Sequence, residues 1–195
     1  MFIFMNYAVI DIETVPVEIK DDDIKEYLMD KQISKEMRAF HPLFSKIICI
    51  CLKNENNTIA LTGNEKEILE KFWDTVQDYN YFITFNGYSF DIPFIIIRST
   101  VNKVKFRNII SLNKFNMQGS NHFDVMLYFS QNTFTNIRLD IIAKSLGIMT
   151  GEDRFTGREV ERLYKEGNID EIIEHCKQDV SITEKIWMHV KNELL

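Results

Sequence analysis

Proline is nearly missing from this chain, three residues in 195, and glycine is scarce at seven. That scarcity excludes a collagen-like or low-complexity polypeptide and leaves no Pro/Gly-rich linker between domains. Cysteine is also sparse and odd in number, with Cys49, Cys51 and Cys176, too few for a disulfide scaffold. No Cys/His quartet with zinc spacing occurs. Cys49 and Cys51 share one face of an apolar strand, which suits burial better than ligation. Three unpaired thiols are expected in a reducing compartment. No apolar run reaches the ~20 residues of a membrane helix. The opening Met1-Phe2-Ile3-Phe4-Met5 lacks the basic region and small-residue cleavage site of a secretory signal. The expectation is a soluble, cytoplasmic protein with no membrane partner.

What is present suits a globular fold: 45% hydrophobic and 12% aromatic residues. A length of 195 residues suits one domain, 1–195, with a proper core. The net charge of −6 argues against a nucleic-acid coat, because such binding rests on phosphate neutralisation. It leaves room for an enzyme whose acids are offset by bound cations. Lys103, Lys105, Arg107 and Lys114 form a stretch without acids, which suits either a solvated loop or a phosphate contact.

Periodicity places the elements. Residues 7–13 read as a strand, and Asp22–Lys31 as a helix inside a charged, irregular segment, 16–45, that is either a cover or a surface excursion. Ile47–Lys53 and Thr58–Leu61 form a hairpin across Asn54-Glu55-Asn56-Asn57. Glu65–Asp78 has the 3/4 apolar spacing of an amphipathic helix, with Asn64 as cap and Glu67 placed for a capping box. Tyr81–Phe85 reads as a buried strand and Ile92–Thr100 as a helix with Pro93 in its first turn. His122–Val125 suits a short fifth strand. Helices follow near Asp124–Phe129, Leu139–Leu146, Gly157–Lys165 and Ile169–Glu193. The pattern gives an α/β fold with a mixed sheet and helices on both faces.

Two carboxylates, Asp11 and Glu13, stand two positions apart in the first strand, so they project from one side. Like charges that close need a counter-charge, and a pair of hard divalent cations is a natural one. Asp91 follows Asn86-Gly87-Tyr88-Ser89-Phe90 after the buried strand. Asp179 lies in the last helix, whose apolar stripe runs through Ile169, Ile172, Ile173, Cys176, Val180, Thr183, Trp187 and Val190. It sits at the border of that stripe, turned toward the protein body.

These residues resemble the 3′-5′ exonucleases of the DEDD superfamily, most closely the exonuclease domain of family B DNA polymerases and its free-standing bacterial and phage relatives. The resemblance rests on Asp11-x-Glu13, on Asn86-x-x-x-Phe90-Asp91 and on helical Asp179. It extends through Phe40–Phe44, Phe123–Met126 and Gly157–Val180, nearly the whole chain. It implies a ribonuclease H-like, five-stranded mixed sheet. It also implies metal-dependent removal of nucleoside 5′-monophosphates from DNA 3′ ends, single-stranded or frayed, with two Mg2+ or Mn2+ ions. By the family pattern Asp11 bridges both ions, Glu13 and Asp179 complete the nucleophile-side ion, and Asp91 supports the other. Thr14, Asn86 and Phe90 would bind the terminal nucleotide, although Phe90 serves equally well as core. Asp124 and Asp140 are expected in supporting or capping roles, and His41 and His122 in structural ones. A polymerase would need several hundred further residues, so no polymerase activity is expected; a separate polymerase or repair partner stays open.

His175 departs from that pattern. The nearest relatives place Tyr four residues before the final Asp, and a sister branch places His five before; here His stands at four and Glu174 at five. Four helical steps leave an offset of ~40°, five steps ~140°, so His175 shares a side with Asp179 in the tyrosine's place. An imidazole titrates near ~6.5 and a phenol near ~10, so His175 is expected to hold, and deprotonate, the attacking water. Two other functions fit the same residues: a catalytically silent nucleic-acid-binding module, and an exoribonuclease with the same metal site.

Overall fold

The computed structural model describes residues 6–113, 120–130, 136–149 and 157–194. Five strands form one sheet: β1 (Tyr7–Pro16), β2 (Ser45–Lys53), β3 (Thr58–Thr62), β4 (Tyr81–Thr84) and β5 (His122–Asp124). Their order is β3-β2-β1-β4-β5. β1, β2 and β3 run antiparallel, whereas β4 and β5 join β1 in parallel. The mixed sheet expected from the pattern is present.

Alternation along the strands explains the two layers. Ala8, Ile10 and Ile12 of β1 and Ile50 and Leu52 of β2 face α3 (Glu65–Thr75) and α4 (Asp91–Val101), burying Ile68, Leu69, Phe72, Trp73, Ile92, Phe94 and Ile95. Asn64 caps α3 by accepting from the Lys66 amide at 3.0 Å, and a 3-10 turn, Val76–Asp78, finishes the helix. Trp73 donates to Ser99 at 2.8 Å and ties α3 to α4. The opposite face buries Tyr7, Val9, Cys49 and Cys51 under α6 (Leu139–Ser145) and the long α8 (Ile169–Leu194). Ile172, Cys176, Val180, Thr183, Trp187 and Val190 are buried, as the stripe predicts. Among the described residues, no helix is long and apolar enough to cross a membrane.

Three details go beyond what the pattern decides. β1 continues to Pro16, past both acids, because it stays paired with β2 through a register shift between Glu13 and Thr14. There Ile48 is the extra residue: Glu13 opposes Cys49 while Thr14 opposes Ile47. Bulges of this kind re-aim side chains beside functional sites. Second, 16–45 is more than a surface excursion. It holds α1 (Asp22–Asp30), capped by Asp21, and the short α2 (Lys35–Arg38), and its end returns to β1, where Thr14 donates to the Ala39 carbonyl at 2.9 Å. Third, Lys103 and Lys105 follow the far end of α4, ~15 Å from Asp91 by helix rise. Arg107 pairs with Asp74 at 2.9 Å, and Lys114 falls outside the described residues. The other helices, α5 (Val125–Phe129) and α7 (Gly157–Glu166), end within a residue or two of their predicted bounds.

Candidate active site

β1 outruns its parallel neighbour. β4 pairs only with Tyr7, Ala8 and Val9, then stops at Thr84. From Ile10 onward this edge of β1 faces a gap, and the turn after β4 fills it. Asn86 adopts a left-handed φ of 64°, and its carbonyl accepts from the Ser89 and Phe90 amides. Asp124 holds the same turn, accepting from the amides of Asn86 at 2.9 Å and Tyr88 at 3.0 Å while capping α5 through Leu127. Gly87 lies where a Cβ would overlap the Thr84 side chain. The turn delivers Asp91, the first residue of α4, onto the open edge of β1, where its Oδ1 accepts from the Ile12 amide at 3.2 Å.

Asp11 and Glu13 point from β1 toward α8. One oxygen of each, with the Cys176 sulfur, falls within a group no wider than 4.8 Å. His175 Nε2 stands between two acids, 3.7 Å from Glu13 Oε1 and 3.6 Å from Asp179 Oδ2. The cleft over them, about 180 Å3, is lined by Asp11, Glu13, Thr14, His175 and Asp179, with Phe40 and Phe90 at its rim. Phe40 and Phe90 meet edge to face at 6.0 Å and also wall an adjoining apolar groove of about 370 Å3. Asp91 and Asn86 stand behind the cleft, outside its lining. Thr14 spends its hydroxyl on Ala39, so it anchors the segment that carries Phe40.

Electrostatics join the four acids. Burial pushes the Asp11 carboxyl well above its ordinary value, and the charges of Asp179, Asp91 and Glu13 add to the shift. Burial likewise pushes Asp91 up to about 8, with Asp124 and Asp179 contributing. Among the described residues, no lysine or arginine pairs with Asp11 or Asp91. Asp140 is the contrast: Arg138 at 2.8 Å and Lys144 at 3.3 Å hold its carboxyl below the ordinary range. Acids that no lysine or arginine offsets, as at Asp11 and Asp91 among the described residues, call for another cation. The oxygen donors suit a hard divalent ion, and the lone thiol at the edge adds a soft one.

Two of the other histidines make structural contacts. His122 is buried, bonded to Thr84 Oγ1 at 2.7 Å and the Ser111 carbonyl at 2.8 Å; His41 stacks on Phe44 at 4.6 Å.

Residues 38–193 match the family described as a predicted 3′-5′ exonuclease related to the exonuclease domain of PolB. The chain belongs to that family. A DNA polymerase 1 from Sulfurisphaera ohwakuensis is 28% identical over 137 residues. That match takes in 63% of this chain but 15% of the polymerase. A family B DNA polymerase from the hyperthermophilic archaeon Pyrobaculum calidifontis superposes with a TM-score of 0.70 at 16% identity, over 95% of this chain and 24% of that one. The likeness establishes the shared fold, a ribonuclease H-like mixed sheet.

Sequence reading overlooked the groups that anchor the rim of the cleft. Arg98, buried in α4, donates to Glu65 at 2.6 and 2.8 Å and to the Pro42 carbonyl at 3.0 Å, while Glu65 accepts from the Ile47 amide at 2.8 Å. This network fixes the 39–44 segment, and with it Phe40, against the sheet. A single arginine in a helix of isoleucines, Ile95-Ile96-Ile97-Arg98, was the available signal.

Proposed function

We propose that residues 1–195 form one metal-dependent 3′-5′ exonuclease domain, cytoplasmic, that removes nucleoside 5′-monophosphates from single-stranded DNA 3′ ends. The observation that carries the reading is Asp11: a half-buried strand carboxylate lining the cleft, surrounded by Asp91, Asp179 and Glu13 with no basic partner among the described residues. Asp11, Glu13, Asp91 and Asp179 would hold two Mg2+ or Mn2+ ions. When bound, such ions neutralise charge at the phosphorus and polarise the water and the departing 3′ oxygen.

The chain's own residues supply the rest. His175 holds the attacking water and takes its proton at Nε2, placed between Glu13 and Asp179 so that both carboxylates stabilise the imidazolium that results. Phe90, with Phe40 across the rim, stacks the terminal base, a contact that accepts any base. Asn86 acts through the turn that presents Phe90 and Asp91, and Thr14 through the 39–40 segment it anchors.

A 3′-labelled oligonucleotide tests the scheme. Cleavage should require Mg2+ or Mn2+, stop with chelator, and vanish in Asp11→Ala while circular dichroism and the unfolding transition persist. Binding without cleavage in every metal would make the chain a silent binding module. Equal or faster loss of an RNA strand would move it to the exoribonucleases, since the 2′-OH is read by pocket contacts.

A further inference from the structure

The fold brings together three thiols that the sequence keeps apart. Cys49 and Cys51 stand opposite Glu13 and Asp11 across the β1–β2 ladder. Cys176 enters from α8, one turn before Asp179. All three are fully buried, all are free, and their sulfurs lie within 4.8 Å of one another. Cys49 and Cys51 Sγ are 3.9 Å apart. Three sulfurs with one separation of 3.9 Å and none above 4.8 Å share a point no more than ~2.6 Å from each, within a few tenths of an ångström of a zinc–thiolate bond of ~2.3 Å.

We propose that Cys49, Cys51 and Cys176 form a second metal site, for a soft thiophilic divalent cation of the zinc and cadmium class, directly beneath the carboxylate cluster. Binding replaces three S–H bonds with three metal–sulfur bonds and releases three protons. Thiolates select such ions over magnesium, which takes oxygen ligands. Entry runs through the cleft, because Cys176 belongs to both clusters: its sulfur is within 4.8 Å of the Asp11 and Glu13 oxygens. The same thiol donates to the Asp11 carbonyl at 3.6 Å, and ligation removes that donor, which frees the carbonyl of the strand residue that carries the Asp11 carboxylate. The soft site and the carboxylates are therefore linked, and occupancy of one alters affinity at the other.

The assignment stands whether or not the chain is a nuclease, because its readout is spectral. Cadmium is titrated into the full, reduced protein while the ultraviolet thiolate-to-cadmium charge-transfer band is followed. The expected result is one equivalent bound, a band of three-thiolate intensity, and no loss of that band in excess magnesium. Cys49→Ala and Cys51→Ala should each lower the intensity by about a third and the affinity at least tenfold. Uptake without the band, or a band of unchanged size in both variants, overturns the proposal. So does cadmium that excess magnesium displaces, which would place it on the carboxylates alone. If either variant fails to fold, the wild-type titration decides by itself.

Discussion

Replacing one carboxyl of the acid cluster with an amide should make the metal-free protein more stable while destroying its proposed activity. Asp91 is 2% exposed, and its carboxyl is pushed from the ordinary 3.8 up to about 8. Its proton is thus retained in the fold and lost in the unfolded chain across that window. Stability contributed by the raised group is complete below 3.8 and disappears as the pH climbs toward 8. At ~1.4 kcal/mol per pH unit, Asp91 alone should cost the metal-free protein about 3 kcal/mol between pH 5 and pH 7. With a urea slope of ~2 kcal/mol per molar, that is a fall of ~1.5 M in midpoint. Burial holds His122 below its ordinary value, so it works in the opposite sense below pH ~6.5. The decisive quantity is therefore the difference between wild type and Asp91→Asn, whose amide oxygen can still accept from Ile12. The variant should match wild type near pH 4 and be the more stable protein at pH 7 without metal, by about 4 kcal/mol. Mn2+ at a hundred times its Kd should return about 3 kcal/mol per occupied site to wild type at pH 7, and much less to the variant. Parallel wild-type and variant midpoints from pH 5 to pH 7 under chelator would refute the account of Asp91 as a carboxyl that burial keeps protonated in the fold.

Three further outcomes follow from other parts of the molecule. In His175→Tyr, the acid limb of the pH–rate profile should disappear or move, because the phenol cannot titrate in that range; an unchanged profile removes the imidazole from the chemistry. Gly87→Ala should lower stability by about 1 to 3 kcal/mol, since its Cβ meets a Thr84 side chain already fixed by His122 and the Gly87 amide; chemical denaturation reads the loss, and displacement of Asp91 should lower turnover with it. Arg98→Ala should cost about 3 to 5 kcal/mol by stranding Glu65 in the interior. A loss below 1 kcal/mol on thermal unfolding would mean that this pair does not anchor the 39–44 segment.

Much of the site was legible before any fold was known. Alternation along Val9-Ile10-Asp11-Ile12-Glu13 fixes both acids to one face, because a strand repeats every two residues. Helical spacing sets His175 and Asp179 side by side for the same kind of reason. Local periodicity also sufficed for the buried stripe of α8 and for the Glu65 helix with its Asn64 cap. Other features have no local signature. That β4 stops short and opens an edge of β1 for Asp91 is a matter of strand pairing between residues more than 70 positions apart. The Ile48 bulge, the return of Ala39 and Phe40 to the cleft, and the Arg98–Glu65 anchor are likewise nonlocal. The meeting of Cys176 with Cys49 and Cys51 shows the division most clearly. Sequence assigns each thiol to an apolar face; only packing of the last helix across the first two strands makes three buried sulfurs neighbours of the acids. Backbone geometry sets which way a side chain points, whereas long-range burial sets what it meets.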